Sequence, residues 1–159
     1  MKLILALYPS YRGLGYVCVQ MPQTLKDFGV LRVRPFSMGR MVKHVERFLE
    51  FHRPHIVILR DPENVPVNSP RIQKFTDAIT TLAGEYKLSV FKYSREQIKD
   101  VFETFGARTK HEIAHKIIEW FPDLASRVPK MRAKYRPEYY HMETFDSLAL
   151  AITHEYLSW

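Results

Sequence analysis

The chain has 159 residues, room for one domain of ordinary size, and its 46% apolar and 26% charged residues exclude a disordered polypeptide. A single cysteine, Cys18, excludes a disulfide framework and a four-cysteine zinc site and fits a reducing, cytoplasmic setting. Twenty-four Lys and Arg against 17 Asp and Glu leave a net charge of +7, which favours polyanion partners, and no apolar run approaches the ~18 residues that a membrane span requires.

In chain order, Met1-Lys2 and the apolar run Leu3–Leu7 are too short for a signal peptide and read as a buried strand. Gly15–Gln20 and Phe28–Arg34 alternate as two further strands. Gly13 and Gly15 fall between the first two runs, where a tight reversal calls for positive φ, so an antiparallel meander is expected. Met38, Met41, Val42, Val45, Phe48 and Leu49 recur at helical spacing until Pro54, and His55–Arg60 is a short apolar strand. Pro62, Pro66 and Pro70 mark a loop. A second amphipathic helix carries Ile72, Phe75, Ile79, Leu82 and Tyr86 on one face, and Leu88–Phe91 is the fifth strand.

Ser94 with Gln97 forms a capping box for a helix to about Thr104, and Thr109 with Glu112 forms another for a helix ending near Phe121. The stretch from Lys130 to Tyr140 mixes cations, tyrosines and prolines and reads as an irregular surface segment. Phe145, Leu148, Ala149, Ile152 and Tyr156 mark a closing helix. The expected architecture is one α/β domain over residues 1–159: a five-stranded mixed sheet, three antiparallel strands followed by parallel ones, with helices on both faces.

Specific residues sharpen this outline. The opening LILALYPSYRGLGYVCV, through Pro9, Ser10, Arg12, Gly15 and Tyr16, resembles the first hairpin of the RuvC family of Holliday-junction resolvases, which has the RNase H-like fold. FDSLALAITHEYL resembles that family's last helix, with Asp146, Leu148, Ala149, Ala151, Ile152, Thr153 and His154 in step. Between them, Lys99, Gly106 and Lys110 hold the places of a lysine, a turn glycine and a second lysine.

The resemblance implies a site of four carboxylates holding Mg²⁺ or Mn²⁺, from the first strand, the end of the fourth strand, and two positions three apart on the last helix. Two such ions about 3.5–4 Å apart need hard oxygen ligands, one to activate water and one to stabilise the leaving oxygen. Glu143 and Asp146 fill the helical pair, since residues three apart share a face. Tyr8, however, stands in the place of the first-strand aspartate, and a phenol with a pKa near 10 does not bridge metal ions as a carboxylate does. Arg60 falls in the place of the fourth-strand acid, with Asp61 one residue on and Glu63 a weaker substitute. Sequence leaves open which of Arg60 and Asp61 faces the site, because a one-residue shift reverses a strand side chain.

The resemblance, with these departures from it, implies a RuvC-like protein that binds branched or structured nucleic acid, DNA foremost, with its metal-dependent endonuclease activity reduced or lost. The alternative is an active Mg²⁺-dependent structure-specific endonuclease in which Asp61, Glu143 and Asp146 hold the metal and Lys110 steadies the reacting phosphate. Lys99 and Lys110 correspond to DNA-contacting lysines of the family. Arg12, Lys116, Lys130, Arg132, Lys134 and Arg136 extend the basic footprint, with Tyr135, Tyr139 and Tyr140 available for base stacking. The resemblance also implies a two-fold homodimer. A competing motif is HEIAH: His111 and His115 at i, i+4 with Glu112 fit a zinc-hydrolase signature, for which Glu138 is the available third ligand. Against it, Pro122, Pro129 and Pro137 interrupt the chain toward Glu138, and Glu112 already suffices as the capping-box acid.

Overall fold

The computed structural model describes residues 2–10, 13–21, 24–62, 70–127 and 142–158. In chain order the elements are β1 (Leu3–Pro9), β2 (Leu14–Gln20), β3 (Thr24–Leu31), α1 (Met38–His52), β4 (Ile56–Arg60), α2 (Pro70–Glu85), β5 (Ser89–Tyr93), α3 (Arg95–Glu103), α4 (Lys110–Trp120), a 3-10 turn at Pro122–Arg127, and α5 (Met142–Leu157). The strands form one sheet in the order β3-β2-β1-β4-β5. β1 pairs antiparallel with β2, β2 antiparallel with β3, β1 parallel with β4, and β4 parallel with β5. This is the expected mixed sheet, with the meander first and the helical crossovers after it.

Strand alternation sorts the core into two layers. Leu5, Leu7, Leu14, Cys18, Val57 and Leu59 face α1 and α2 and pack with Met41, Val45, Leu49, Phe75 and Ile79. Ile4, Ala6, Tyr8, Val17, Val19, Ile56 and Ile58 face the other way, onto Ile98, Phe102, Ile113, Ile117, Phe145, Leu148 and Ile152 of α3, α4 and α5. Each fully buried large apolar side chain stabilises the fold by about 1.5–3 kcal/mol, so both layers contribute heavily. The α5 helix is buried on all sides from Met142 to His154, which is why its sequence reads as apolar rather than striped.

Local chemistry sets the helix ends. Ser37 caps α1 through its side chain, and Arg53 closes the helix in the left-handed region at φ 48, its N–H bonded to the Leu49 carbonyl. The two capping boxes are formed: Ser94 Oγ accepts from Gln97 N while Gln97 Oε1 accepts from Ser94 N, and Thr109 and Glu112 repeat the arrangement. Gly106, at φ 83, turns the chain between α3 and α4, a conformation that glycine adopts without steric cost.

Two expectations are corrected. β3 runs from Thr24 to Leu31 rather than from Phe28 to Arg34, because its length is set by its partner: the ladder spans Gln20↔Thr24 to Leu14↔Leu31. Beyond Leu31, β2 has no further residue to pair. Gly13 and Gly15 do not take positive φ; they are required by close approach. A Cβ on Gly15 would lie 2.2 Å from the Glu143 carbonyl oxygen, and one on Gly13 2.3 Å from that of Leu31. Gly15 therefore lets the first turn of α5 rest directly on the hairpin.

Candidate functional site

The carboxyl ends of the parallel strands β1 and β4 meet the first turns of α3, α4 and α5 at one edge of the sheet. Openings of this kind are where parallel α/β sheets place ligands. Tyr8 lies one residue from the end of β1 and Arg60 ends β4. Alternation from Ile56 and Ile58 gives Arg60 the α5 face, the face that Tyr8 shares. The Arg60 guanidinium lies over the Tyr8 ring, 4.7 Å from its centroid, and Arg60 Nη1 donates to the Pro9 carbonyl at 3.1 Å. The position left open in the sequence is thus held by the arginine. Asp61, next in the chain, donates its backbone N–H to the Tyr93 carbonyl at 2.8 Å.

Asp146 is 3% exposed in the first half of α5 and sits between two cations. Arg95 Nη1 approaches its Oδ1 at 3.4 Å, and Lys110 Nζ approaches its Oδ2 at 3.2 Å. Lys110 Nζ also lies 5.8 Å from the centre of the Tyr8 ring. Burial holds the Tyr8 phenol above its ordinary pKa of 10.0; the charge of Asp146 adds to the rise, and Lys110, Arg60 and Arg95 oppose it. Tyr8 is consequently a neutral phenol at neutral pH.

Glu143, 7% exposed, has separate partners. It accepts from the Ser10 hydroxyl at the β1–β2 turn and pairs with Arg32 Nη2 at 3.5 Å. The Ser10 hydroxyl also receives the Gly13 N–H at 3.2 Å, so Glu143 fastens the α5 terminus to the hairpin. The two acids of the helix therefore lie on the hairpin side and the α3–α4 side of the opening.

A cleft of about 460 Å³ opens beside these groups, lined by Tyr8, Arg60, Arg95, Lys99, Arg108, Thr109 and Lys110. Five of the seven lining side chains are cations, brought from β4, α3, the α3–α4 turn and α4. Lys99 and Lys110 are among the residues expected from the sequence. Lys116 lies outside the lining and pairs with Glu119 Oε2 at 3.0 Å along its own helix. Arg12, Lys130, Arg132, Lys134, Arg136, Tyr135, Tyr139, Tyr140, Glu63 and Glu138 lie outside the described residues.

Sequence reasoning passed over Arg95 and Arg108. The signal for Arg95 was present: it opens a helix behind the Ser94 cap and stands four residues before Lys99, hence on the same face. Arg108 had only its place before the Thr109 cap to recommend it. Arg32, the partner of Glu143, was read as part of a strand.

The donor set does not suit a divalent cation. Mg²⁺ and Mn²⁺ select clustered anionic oxygens. Here the phenol of Tyr8 and the guanidinium of Arg60 face the opening, and Asp146 engages cations at both oxygens. Among the described residues no three His, Cys, Asp or Glu side chains gather into a metal-binding group, Asp61, Glu143 and Asp146 included. The HEIAH segment is likewise put to structural use. Glu112 Oε1 accepts from the Thr109 and Arg108 backbone N–H groups, which hold its carboxyl below the ordinary range, while His111 and His115 bring their Nε2 atoms to 2.9 Å on an exposed face.

No family model and no curated protein matches the chain by sequence. Solved structures do match it. A Thermus thermophilus RuvC in complex with a Holliday junction substrate superposes with a TM-score of 0.75 at 20% identity, over 99% of this chain and 95% of that one. A second Thermus thermophilus RuvC structure gives 0.70 at 22% identity, over 98% and 95%. A Fowlpox virus resolvase in complex with Holliday junction DNA gives 0.55 at 15% identity, over 96% and 99%. The likeness first read in the hairpin and the closing helix extends through the whole sheet: this chain has the RuvC-like, RNase H-like fold.

Proposed function

We propose that the protein binds branched or structured DNA at the cleft beside Tyr8, with metal-dependent strand cleavage reduced or lost. The observation that carries this reading is the exchange of charge at the sheet edge: Arg60 stacks on Tyr8, and Arg95 and Lys110 engage Asp146, where the resembled family implies acids around metal. Arg60 in the place of an acid, with Arg95 and Lys110 beside the one at Asp146, attracts backbone phosphate and repels Mg²⁺. Two of the solved structures with this fold are themselves complexes with Holliday junction DNA. Lys99 and Arg108 add to the attraction within the cleft, and the net charge of +7 extends it beyond. A homodimer, as the resemblance implies, would present two such clefts to the arms of one junction.

The test is a gel-shift and cleavage series with a four-way junction, a duplex of equal length and a single strand, at several salt concentrations, in EDTA, Mg²⁺ and Mn²⁺. The expected outcome is junction binding tighter than duplex binding, with affinity falling steeply as salt rises, and no cutting in any metal. Robust cutting that Asp146→Asn abolishes would establish the active nuclease instead, with Asp61, Glu143 and Asp146 as ligands and Lys110 at the phosphate. Equal, weak affinity for all three DNAs would remove the junction reading. Tyr8→Asp returns one carboxylate to the site, and cutting gained by that variant would identify the lesion.

A further inference from the structure

We infer that the cleft above Tyr8 is a metal-independent seat for a single phosphate group of a nucleic-acid backbone, with the Tyr8 ring as the platform that positions its cations. The inference rests on the nucleic-acid reading above and goes beyond it by giving the site a ligand class, a stoichiometry and a positioning residue. On this account the tyrosine is a working replacement for the family's aspartate rather than a plain loss.

Geometry supports the seat in three ways. First, the cations converge from separate elements and are held before any ligand arrives. Arg60 is fixed between the Tyr8 ring and the Pro9 carbonyl, and Arg95 and Lys110 are fixed by the two oxygens of Asp146. A binding site whose side chains are already ordered loses less entropy on binding. Second, the charges do not cancel. Asp146 lies between Arg95 and Lys110, and Glu103 lies 3.7 Å from Arg108, but these carboxylates are outnumbered by the five cations of the lining, so the opening favours an anion. Third, the Arg95 Nη2 atom is buried and makes no hydrogen bond among the described residues. A buried donor of this kind is costly, and an acceptor oxygen in the cleft would satisfy it. A volume of about 460 Å³ accommodates a phosphodiester and its flanking sugars.

Tyr8 contributes through its ring face. Arg60 and Lys110 lie 4.7 and 5.8 Å from its centroid, within the range in which a cation is attracted to an aromatic quadrupole. A leucine would fill the space without that attraction, whereas a phenylalanine would preserve it.

The test uses the full chain labelled with ¹⁵N in EDTA, titrated with inorganic phosphate and followed by NMR. We expect one saturable site, with the largest shifts at the amides of Arg60, Arg95 and Lys110. Arg60→Gln and Arg95→Gln should each weaken binding about tenfold or more, the scale of a lost charged hydrogen bond. Tyr8→Leu should weaken it comparably, and Tyr8→Phe should restore it to within about threefold of the parent. Lys74→Gln, an exposed change on α2 across the sheet, should have no effect. The seat is overturned by the absence of a saturable site, by a requirement for Mg²⁺, by Lys74→Gln weakening binding as much as Arg60→Gln, or by Tyr8→Phe behaving as Tyr8→Leu. Spectra of each folded variant without phosphate guard against misreading an unfolded one, and Arg60→Lys, which keeps the charge, should retain part of the affinity. Binding to junction, duplex and single strand is measured in parallel: junction affinity without a phosphate site overturns the seat alone, a phosphate site with equal affinity for all three DNAs upholds the seat while overturning the junction reading, and a phosphate site without affinity for any of them overturns both.

Discussion

The two faces of the sheet use the same strands for different ends. Toward α1 and α2, the inward positions of β1 and β4 (Leu5, Leu7, Val57 and Leu59) are apolar, and the layer is a hydrophobic core with the Asp27–His52 pair at its β3 side. Toward α3, α4 and α5 the same alternation ends in Tyr8 and Arg60, and the helices bring Asp146 and Glu143 into nearly full burial beside Arg95, Lys110 and Arg32. A buried ion group of this kind adds little net stability, because desolvation offsets most of its attraction, yet losing one member leaves charge without compensation. Both faces stabilise the fold by apolar burial, and the second also concentrates positive charge at one edge of it.

The contrast can be broken most strongly from the apolar side. Phe75→Ala removes a side chain 1% exposed at the centre of the α2 layer and should cost about 4 kcal/mol in a denaturant melt, with phosphate and DNA binding unchanged at temperatures where the variant is folded. Asp146→Ala should cost about 3 kcal/mol, because Arg95 and Lys110 then face Arg60 without a counter-charge. It should differ from Phe75→Ala in kind: added salt recovers part of the Asp146 loss by screening the repulsion and none of the cavity loss. A salt-independent Asp146 variant would mean that the carboxylate serves packing alone.

The smallest effect comes from the far end of α5. His154 Nδ1 meets the Tyr93 hydroxyl at 2.6 Å, and burial depresses the imidazole below its ordinary 6.5; the charge of Glu155 acts in the opposite sense and that of Lys2 in the same one. The unfolded chain therefore takes up a proton first as pH falls. The stability from neutral His154 is present above about pH 6.5 and is lost as pH falls from there through the depressed folded value. His154→Gln should flatten that part of the stability–pH curve, and an unchanged curve would place the titration elsewhere.

What could be read without coordinates followed the range of each interaction. The helix starts at Ser94 and Thr109 were legible because a capping box closes within four residues. The limits of β3 were not, since its ladder is set by β2, and the same dependence on distant chain hid the reason for Gly15, whose neighbour is the Glu143 carbonyl. The site was legible in part. Tyr8, Arg60, Lys110, Glu143 and Asp146 were singled out through the resemblance, but the choice between Arg60 and Asp61 turned on strand register, and Arg95 acquired meaning only beside Asp146.

By itself, then, the sequence determined the order of strands and helices, the excess of positive charge and the absence of an aspartate at position 8, because periodicity, composition and residue identity are local properties of the chain. Tertiary structure alone decided that Arg60 lies over Tyr8 and that Asp146 answers to Arg95 and Lys110. Those contacts join β1, β4, α3, α4 and α5, and their energies depend on distances and burial that arise only once the sheet and its helices have packed together.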